Sequence, residues 1–275
     1  MSEIYFAKTR WVYDSYTDFI SLAELSGFPV CFVNEMQIYD KSKTYITCPI
    51  NGEIKEFMDQ EKRSNHKAKI IEWNLERPGG SGTLQDYIRD NDNLVKEGFI
   101  DQVIVSDKQL AIDTGFHYVP LGSHPLLGEP GGLYEKMYDV VHLMCYSNRR
   151  GKWFQEPGVP RKVMGKMNVA PNGWGAQRNL ILRLSRYMLN VHQDEFKYME
   201  PLRFALAAAY GLPIITETLH DPFPYEFGEL AQMEYPEQFV GDRNWYENAI
   251  YKRGLEFRKR FTTDLNFRNC IERYL

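Results

Sequence analysis

Apolar residues in the first half of the chain fall in short runs separated by stretches of helical period. Val30-Cys31-Phe32-Val33, after the turn at Gly27-Phe28-Pro29, predicts a buried strand. Ala68 to Leu75 predicts a second, closed by Glu76-Arg77-Pro78-Gly79-Gly80-Ser81-Gly82. Gln102 to Asp107 predicts a third and His117 to Gly122 a fourth. Short apolar runs alternating with helical segments point to parallel βαβ units rather than a β-sandwich. Pro120, Gly122, Pro125, Gly128, Pro130, Gly131 and Gly132 form the densest cluster of chain breakers. A domain boundary is expected there, dividing residues 1–128 from 129–275.

The βαβ rhythm then restarts. Tyr138 to Tyr146 predicts a strand, with Ser147-Asn148-Arg149-Arg150-Gly151 as the loop after it. A second loop, Ala170 to Gly175, precedes a helix over about Gln177 to Ser185. Leu189-Asn190-Val191-His192-Gln193 reads as a strand entering a polar loop, Glu200-Pro201-Leu202-Arg203 as a helix start, and Gly211 to Glu217 as a strand ending on a carboxylate. From Tyr246 to Leu275 apolar residues recur at helical period, with Lys252, Arg253, Arg258, Lys259 and Arg260 on the other faces. The expected fold is α/β, two Rossmann-like halves without sequence repeat, facing a central cleft. Ligands gather in such clefts.

Composition narrows the class. The chain has 275 residues, 43% hydrophobic and 25% charged, with 18 Tyr, 16 Phe and 5 Trp, an ordinary globular balance far from disorder. A net charge of −4 supplies no global basic field of the kind a dedicated nucleic-acid binder carries. Cys31, Cys48, Cys145 and Cys270 lie far apart with no CxxC, so free thiols are expected rather than a disulfide framework or a zinc site. Met1-Ser2-Glu3-Ile4 shows no basic segment leading into an apolar run, and no apolar stretch reaches about eighteen residues. A cytoplasmic protein without signal peptide or membrane span is expected. No closely spaced set of His and Asp recommends a metal, and none is expected.

Glu200 and Arg203 are candidates for chemistry. Three positions apart, they share a helix face. A solvated ion pair is the ordinary outcome, but this pair opens a helix directly after a strand and loop. Helix starts offer free backbone N–H groups and positive dipole to an anion. An arginine fork matches phosphate oxygens, and a carboxylate accepts from sugar hydroxyls. A nucleotide sugar suits both. Asn148, Arg149 and Arg150 lie in the loop after the first strand of the second half, either a basic surface turn or a second place where an arginine meets an anion. Lys166 and Trp174 are further candidates, for phosphate and for base stacking. Glu76, at a strand end, is the first-half candidate for acceptor contact or catalytic base, with Asp107 as its alternative; strand-end carboxylates also serve as helix caps.

The segment Tyr187 to Glu217 resembles the donor-binding part of the retaining GT-B glycosyltransferases. More closely, it is similar to a small bacterial and phage-type branch with an L-N-[IV]-H…E-x-x-R…[IV]-[ST]-E signature. Leu189-Asn190-Val191-His192, Glu200 with Arg203, and Ile215-Thr216-Glu217 stand at those positions. Asn74-Leu75-Glu76-Arg77-Pro78 resembles the branch's strand-end acidic motif. The resemblance implies a GT-B-like fold, with residues 1–128 on the acceptor side. Residues 129–275 would hold the donor, with a C-terminal helix packing back toward the N-terminal domain. It implies metal-independent, retaining sugar transfer from a nucleotide-sugar co-substrate, with no other cofactor. Asn190, His192 and Glu217 join the donor site, and Glu76, Glu200 and Arg203 carry catalysis. One position departs: Leu206 stands where many related enzymes carry a second glutamate, and Glu200 takes over its hydroxyl-binding role.

The acceptor is either a surface glycan precursor or a hydroxymethylated base in DNA. Arg149, Arg150, Lys152, Arg161, Lys162 and Lys166, interleaved with Trp153 and Phe154, suit a phosphate backbone. The alternative is a non-catalytic module that keeps the fold to bind a nucleotide or a protein.

Overall fold

β-Branched and aromatic runs alternate with amphipathic stretches through the whole chain. A computed structural model describes residues 2–8, 16–48, 52–60, 66–75, 78, 82–143, 147–155, 163–164, 176–192, 196–221, 224, 230–233 and 248–275. The chain divides into two α/β units, Met1–Pro120 with Cys270–Leu275, and Leu121–Asn269.

The first unit comprises β1 (Glu3–Lys8), α1 (Thr17–Leu25), β2 (Val30–Phe32), β3 (Lys43–Thr47), α2 (Gly52–Gln60), β4 (Lys69–Asn74), α3 (Leu84–Lys96), β5 (Gln102–Val105), α4 (Lys108–Thr114) and β6 (His117–Tyr118). Its strands pair in parallel in the order β2-β1-β3-β4-β5-β6. Alternation along a strand sends neighbouring side chains to opposite faces. Phe6 and Trp73 accordingly pack their rings on Phe19 of α1, at 5.4 and 5.3 Å. Ala7, Tyr45, Ile70 and Val103 bury the other face with Met58 of α2. Thr83 and Asp86 cap α3 reciprocally, and Asp107 caps α4 by accepting the Leu110 N–H at 2.6 Å. Beside β6, His117 Nε2 and the Tyr274 carbonyl lie 2.6 Å apart, and the rings of Tyr118 and Tyr274 meet edge to face.

Three sequence expectations change here. β2 is a half-exposed edge strand, not a buried one, because it ends the sheet. The run at 117–122 supplies only a two-residue strand. β1 and β3, the unanticipated strands, carry lysines or glutamate at their ends and few consecutive aliphatic residues.

The second unit comprises β7 (Tyr138–His142), α5 (Asn148–Gln155), β8 (Val163–Met164), α6 (Ala176–Leu184), β9 (Ser185–Asn190), α7 (Pro201–Ala209), β10 (Ile214–Glu217), β11 (Leu230–Met233), α8 (Asn248–Thr263) and α9 (Phe267–Tyr274), the last running on into the residues of the first unit. The parallel order is β8-β7-β9-β10-β11. Counted within each unit, both sheets therefore begin 2-1-3-4-5, the doubly wound order of a Rossmann-like α/β fold. In that order the ligand crevice opens where the first and third strands part, at their C-terminal ends. Here those strands are β7 and β9.

Helix α7 is almost wholly apolar, and Phe204, Leu206, Ala207, Ala208 and Ala209 are buried with Phe257 and Phe261 of α8. Close approach is possible because Gly254 of α8 lies on Gly211, just past α7; a Cβ on Gly254 would collide with the Gly211 carbonyl. Gly211 also takes a left-handed conformation, φ +62°, which ends α7 as glycine readily does. Arg258 donates to the carbonyls of Pro125, Gly128 and Ala209, tying the breaker-rich segment to the C-terminus of α7; burial lowers its pKa. Ser123 adds a bond from its hydroxyl to the Ala205 carbonyl at 2.9 Å. Just before β7, Lys136 donates to the Arg183 carbonyl at 2.9 Å. Burial, reinforced by the Arg186 charge, pushes Lys136 down to about 8.

Among the described residues no helix is long and apolar enough to cross a membrane. Cys31, Cys48 and Cys270 are free thiols.

Candidate functional site

Two helices begin at the C-terminal ends of β7 and β9, and each delivers arginine to the switch point. The loop expected at 147–151 is instead the start of α5. The Ser147 hydroxyl accepts the Arg150 N–H at 3.1 Å, an N-cap that leaves Asn148 exposed at the first helical position. Arg149 and Arg150 then diverge, as successive helical residues must.

Arg150 turns inward and is 3% exposed. Its Nε donates to the Val191 carbonyl at 2.9 Å and its Nη2 to Glu200 Oε1 at 3.0 Å. Glu200 is the N-cap residue of α7, with Pro201 at the first helical position, yet its side chain makes no capping bond. Its second oxygen accepts from Arg203 Nη1. Arg203 also donates to Asn190 Oδ1, and through Nε to the Leu143 carbonyl at 3.1 Å. The Arg150–Glu200–Arg203 chain therefore ties the ends of β7 and β9 to the starts of α5 and α7. The half-buried Glu200 carboxylate between two guanidiniums is compensated on both sides, the condition for holding charge away from water.

Arg149 turns outward, with 38% of its side chain exposed. Its fork meets Glu217 at the end of β10, Nη1 to Oε2 at 2.8 Å and Nη2 to Oε1 at 2.5 Å. Nη1 also reaches the His192 carbonyl at 2.8 Å, and the His192 backbone N–H donates to Glu217 Oε2 at 2.7 Å. The His192 ring is buried, with Nε2 3.2 Å from the Thr218 carbonyl, which only accepts, so Nε2 carries the proton. Asn190, fully buried, donates to Thr216 Oγ1 at 2.9 Å.

Of the residues the sequence singled out, Asn148, Arg149, Arg150, Asn190, His192, Glu200, Arg203 and Glu217 thus lie at one end of one sheet. Glu76, Lys166 and Trp174 lie outside the described residues, as do Arg161 and Lys162 of the basic stretch. Asp107 serves as a helix cap through its Oδ1. Leu206 is 5% exposed within the hydrophobic core of α7, so a side chain there reaches no ligand. Sequence reasoning passed over the backbone partners, the carbonyls of Leu143 and Val191 and the amide of His192. Strand ends in a doubly wound sheet are where such groups come free.

The chain contains one Asp-x-Asp, Asp90-Asn91-Asp92, and it lies inside α3. Alternate residues on a helix point to opposite sides, so these carboxylates do not converge. Among the described residues no group of His, Cys, Asp and Glu is placed to hold a metal ion.

The arrangement offers two things to a ligand: a net positive charge, three guanidiniums against two carboxylates, and helix starts facing the same crevice. Both favour an anion.

The sequence matches no protein-family model and no curated protein. Among solved structures the chain is similar to "Glycosylation Associate Protein (Gap123) complex from Streptococcus agalactiae", with a TM-score of 0.53 and 11% identity. The match covers 86% of this chain and 55% of that one, so this chain spans little more than half its length. At that identity the likeness is one of fold.

Proposed function

We propose that the second unit binds a nucleotide sugar at the ends of β7, β9 and β10, and that the protein is a glycosyltransferase with the GT-B organisation of two Rossmann-like domains facing a cleft. The observation that carries this reading is the convergence of Arg149, Arg150 and Arg203 with Glu200 and Glu217 at the switch point of a doubly wound sheet. Guanidinium groups and helix starts stabilise a departing diphosphate electrostatically, which is the task a metal performs elsewhere. In this reading Arg149 meets the diphosphate, Arg150 and Arg203 fix the frame and supply field, and Glu217 borders the sugar. Glu200 keeps the two inner arginines in place and orders the donor hydroxyls through them. The first unit takes the acceptor, with Glu76 as its candidate base. A surface glycan precursor suits the site better than DNA, because Arg150 is buried and paired rather than available to a phosphate backbone.

Calorimetry with a panel of nucleoside diphosphates, followed by turnover assays with the matching nucleotide sugars, tests the reading. Binding of at least one diphosphate and transfer or hydrolysis of its sugar are expected. Absence of both would end it.

A second reading is favoured by one feature: Glu200 and Glu217 are both engaged by arginines rather than presented to a reacting atom. A non-catalytic, glycosylation-associated binding module would show this, and the similar solved structure is a glycosylation-associated protein complex. Nucleotide binding without any turnover would select it.

A further inference from the structure

Of the three guanidiniums at the site, one is held differently from the others. Arg150 and Arg203 are anchored through Nε to the carbonyls of Val191 and Leu143 and share Glu200. Arg149 gives both terminal nitrogens to Glu217, 2.8 and 2.5 Å from its two oxygens. The His192 amide adds a third donor to the same carboxylate at 2.7 Å. A planar fork plus a backbone N–H at a strand end is also the donor set that suits a phosphate group. Glu217 itself is 13% exposed and Arg149 38%, and an ion pair with so exposed a member holds weakly.

We infer that the Arg149 fork and the His192 amide form a phosphate seat for which the Glu217 carboxylate competes, so that a phosphorylated ligand binds by displacing that carboxylate. This rests on the nucleotide-sugar reading for its choice of ligand. The exchange is favoured by charge. The Arg149–Glu217 pair is neutral and the Arg150–Glu200–Arg203 group carries one net positive charge, so the crevice as a whole attracts an anion. Displacement leaves the Glu217 carboxylate beside the seat, where it accepts from hydroxyls of whatever the phosphate carries. Glu217 is then a brake on anion binding and a contact for the remainder of the ligand.

The two roles separate with inorganic pyrophosphate, which has nothing for Glu217 to recognise. Calorimetric titration of the full chain with pyrophosphate is expected to show Glu217→Gln binding about fivefold tighter than the parent, an increment the size of one exposed ion pair. Glu217→Asp, which keeps the charge on a shorter arm, falls between them. Arg149→Gln loses at least tenfold. Thermal melting of each variant shows that it is folded, and Glu217→Asp stands in should Glu217→Gln unfold. Weaker or unchanged pyrophosphate binding by folded Glu217→Gln and Glu217→Asp overturns the inference, as does failure of the parent and both variants to bind pyrophosphate at all. A parent that binds nucleotide sugars while Glu217→Gln binds pyrophosphate more weakly removes the inference and leaves the nucleotide-sugar reading standing. The expected pyrophosphate series with no nucleotide sugar bound by any form does the reverse.

Discussion

The two sheets share a strand order, and the described residues near their C-terminal ends are bonded in different ways. In the first unit described buried groups near that end are joined by neutral hydrogen bonds. Trp73 Nε1 donates to Ser106 Oγ, which donates onward to the Val119 carbonyl, and Asn74 donates to Asn91. In the second unit the same end carries Arg149–Glu217 and Arg150–Glu200–Arg203. Neutral bonds close an end; compensated charges, one of them half-exposed, leave it open to exchange. The proposed ligand chemistry draws on the charged end, although both units have the same strand order.

The sharpest way to break the contrast is Arg203→Ala. It takes one of two guanidiniums from Glu200, leaving Arg150, and removes the donor to the Leu143 and Asn190 oxygens; the loss is at most about 3–5 kcal/mol. Urea unfolding is expected to show that loss, together with loss of nucleotide binding. Activity and stability are therefore expected to fall together. On the other side, Ser106→Ala leaves a buried indole N–H and a carbonyl without their hydroxyl, for a loss of about 1–3 kcal/mol, with nucleotide affinity unchanged.

Lys136 sharpens the comparison through pH. Its folded value of about 8 lies below its ordinary 10.5, so between the two the unfolded chain binds more protons. Stability therefore rises as pH climbs from about 8 toward 10.5, and the penalty is fully present below 8. Solvent screening reduces the gain to the order of 1 kcal/mol. Denaturant melts across that range should show the rise in the parent and a flattened profile in Lys136→Met. The smallest stability effect belongs to Arg149→Gln, at most about 1 kcal/mol, because its ion pair is half in water. Its readout is anion affinity, and a large stability loss would place Arg149 with the structural arginines instead.

Much of the second unit was legible because its signals are local. β9, α7 and β10 follow one another within residues 185–217, and their apolar runs and turn residues stand next to the polar ones that matter. What could not be read was pairing. Arg149 meets Glu217 across 68 positions and Arg150 meets Glu200 across 50, and no spacing rule connects them. The basic run at 148–150 looked like a loop because its cap, Ser147, is visible only once the Arg150 N–H is seen to reach it. β1 and β3 were missed for a different reason. Residues such as Lys43, Thr44 and Thr47 have strand character chiefly in partnership, β3 being flanked on both sides by other strands.

One contact has a consequence for how the protein is made. His117 and Tyr274, bonded beside β6, are separated by 157 residues. On a ribosome adding about 5–20 residues per second, β6 waits roughly 8–30 seconds for that neighbour. During that interval the first unit must persist without its final segment, on a core that includes Phe6, Phe19, Phe28 and Trp73. An unfinished strand at a sheet margin is the surface that chaperones and neighbouring nascent chains encounter first.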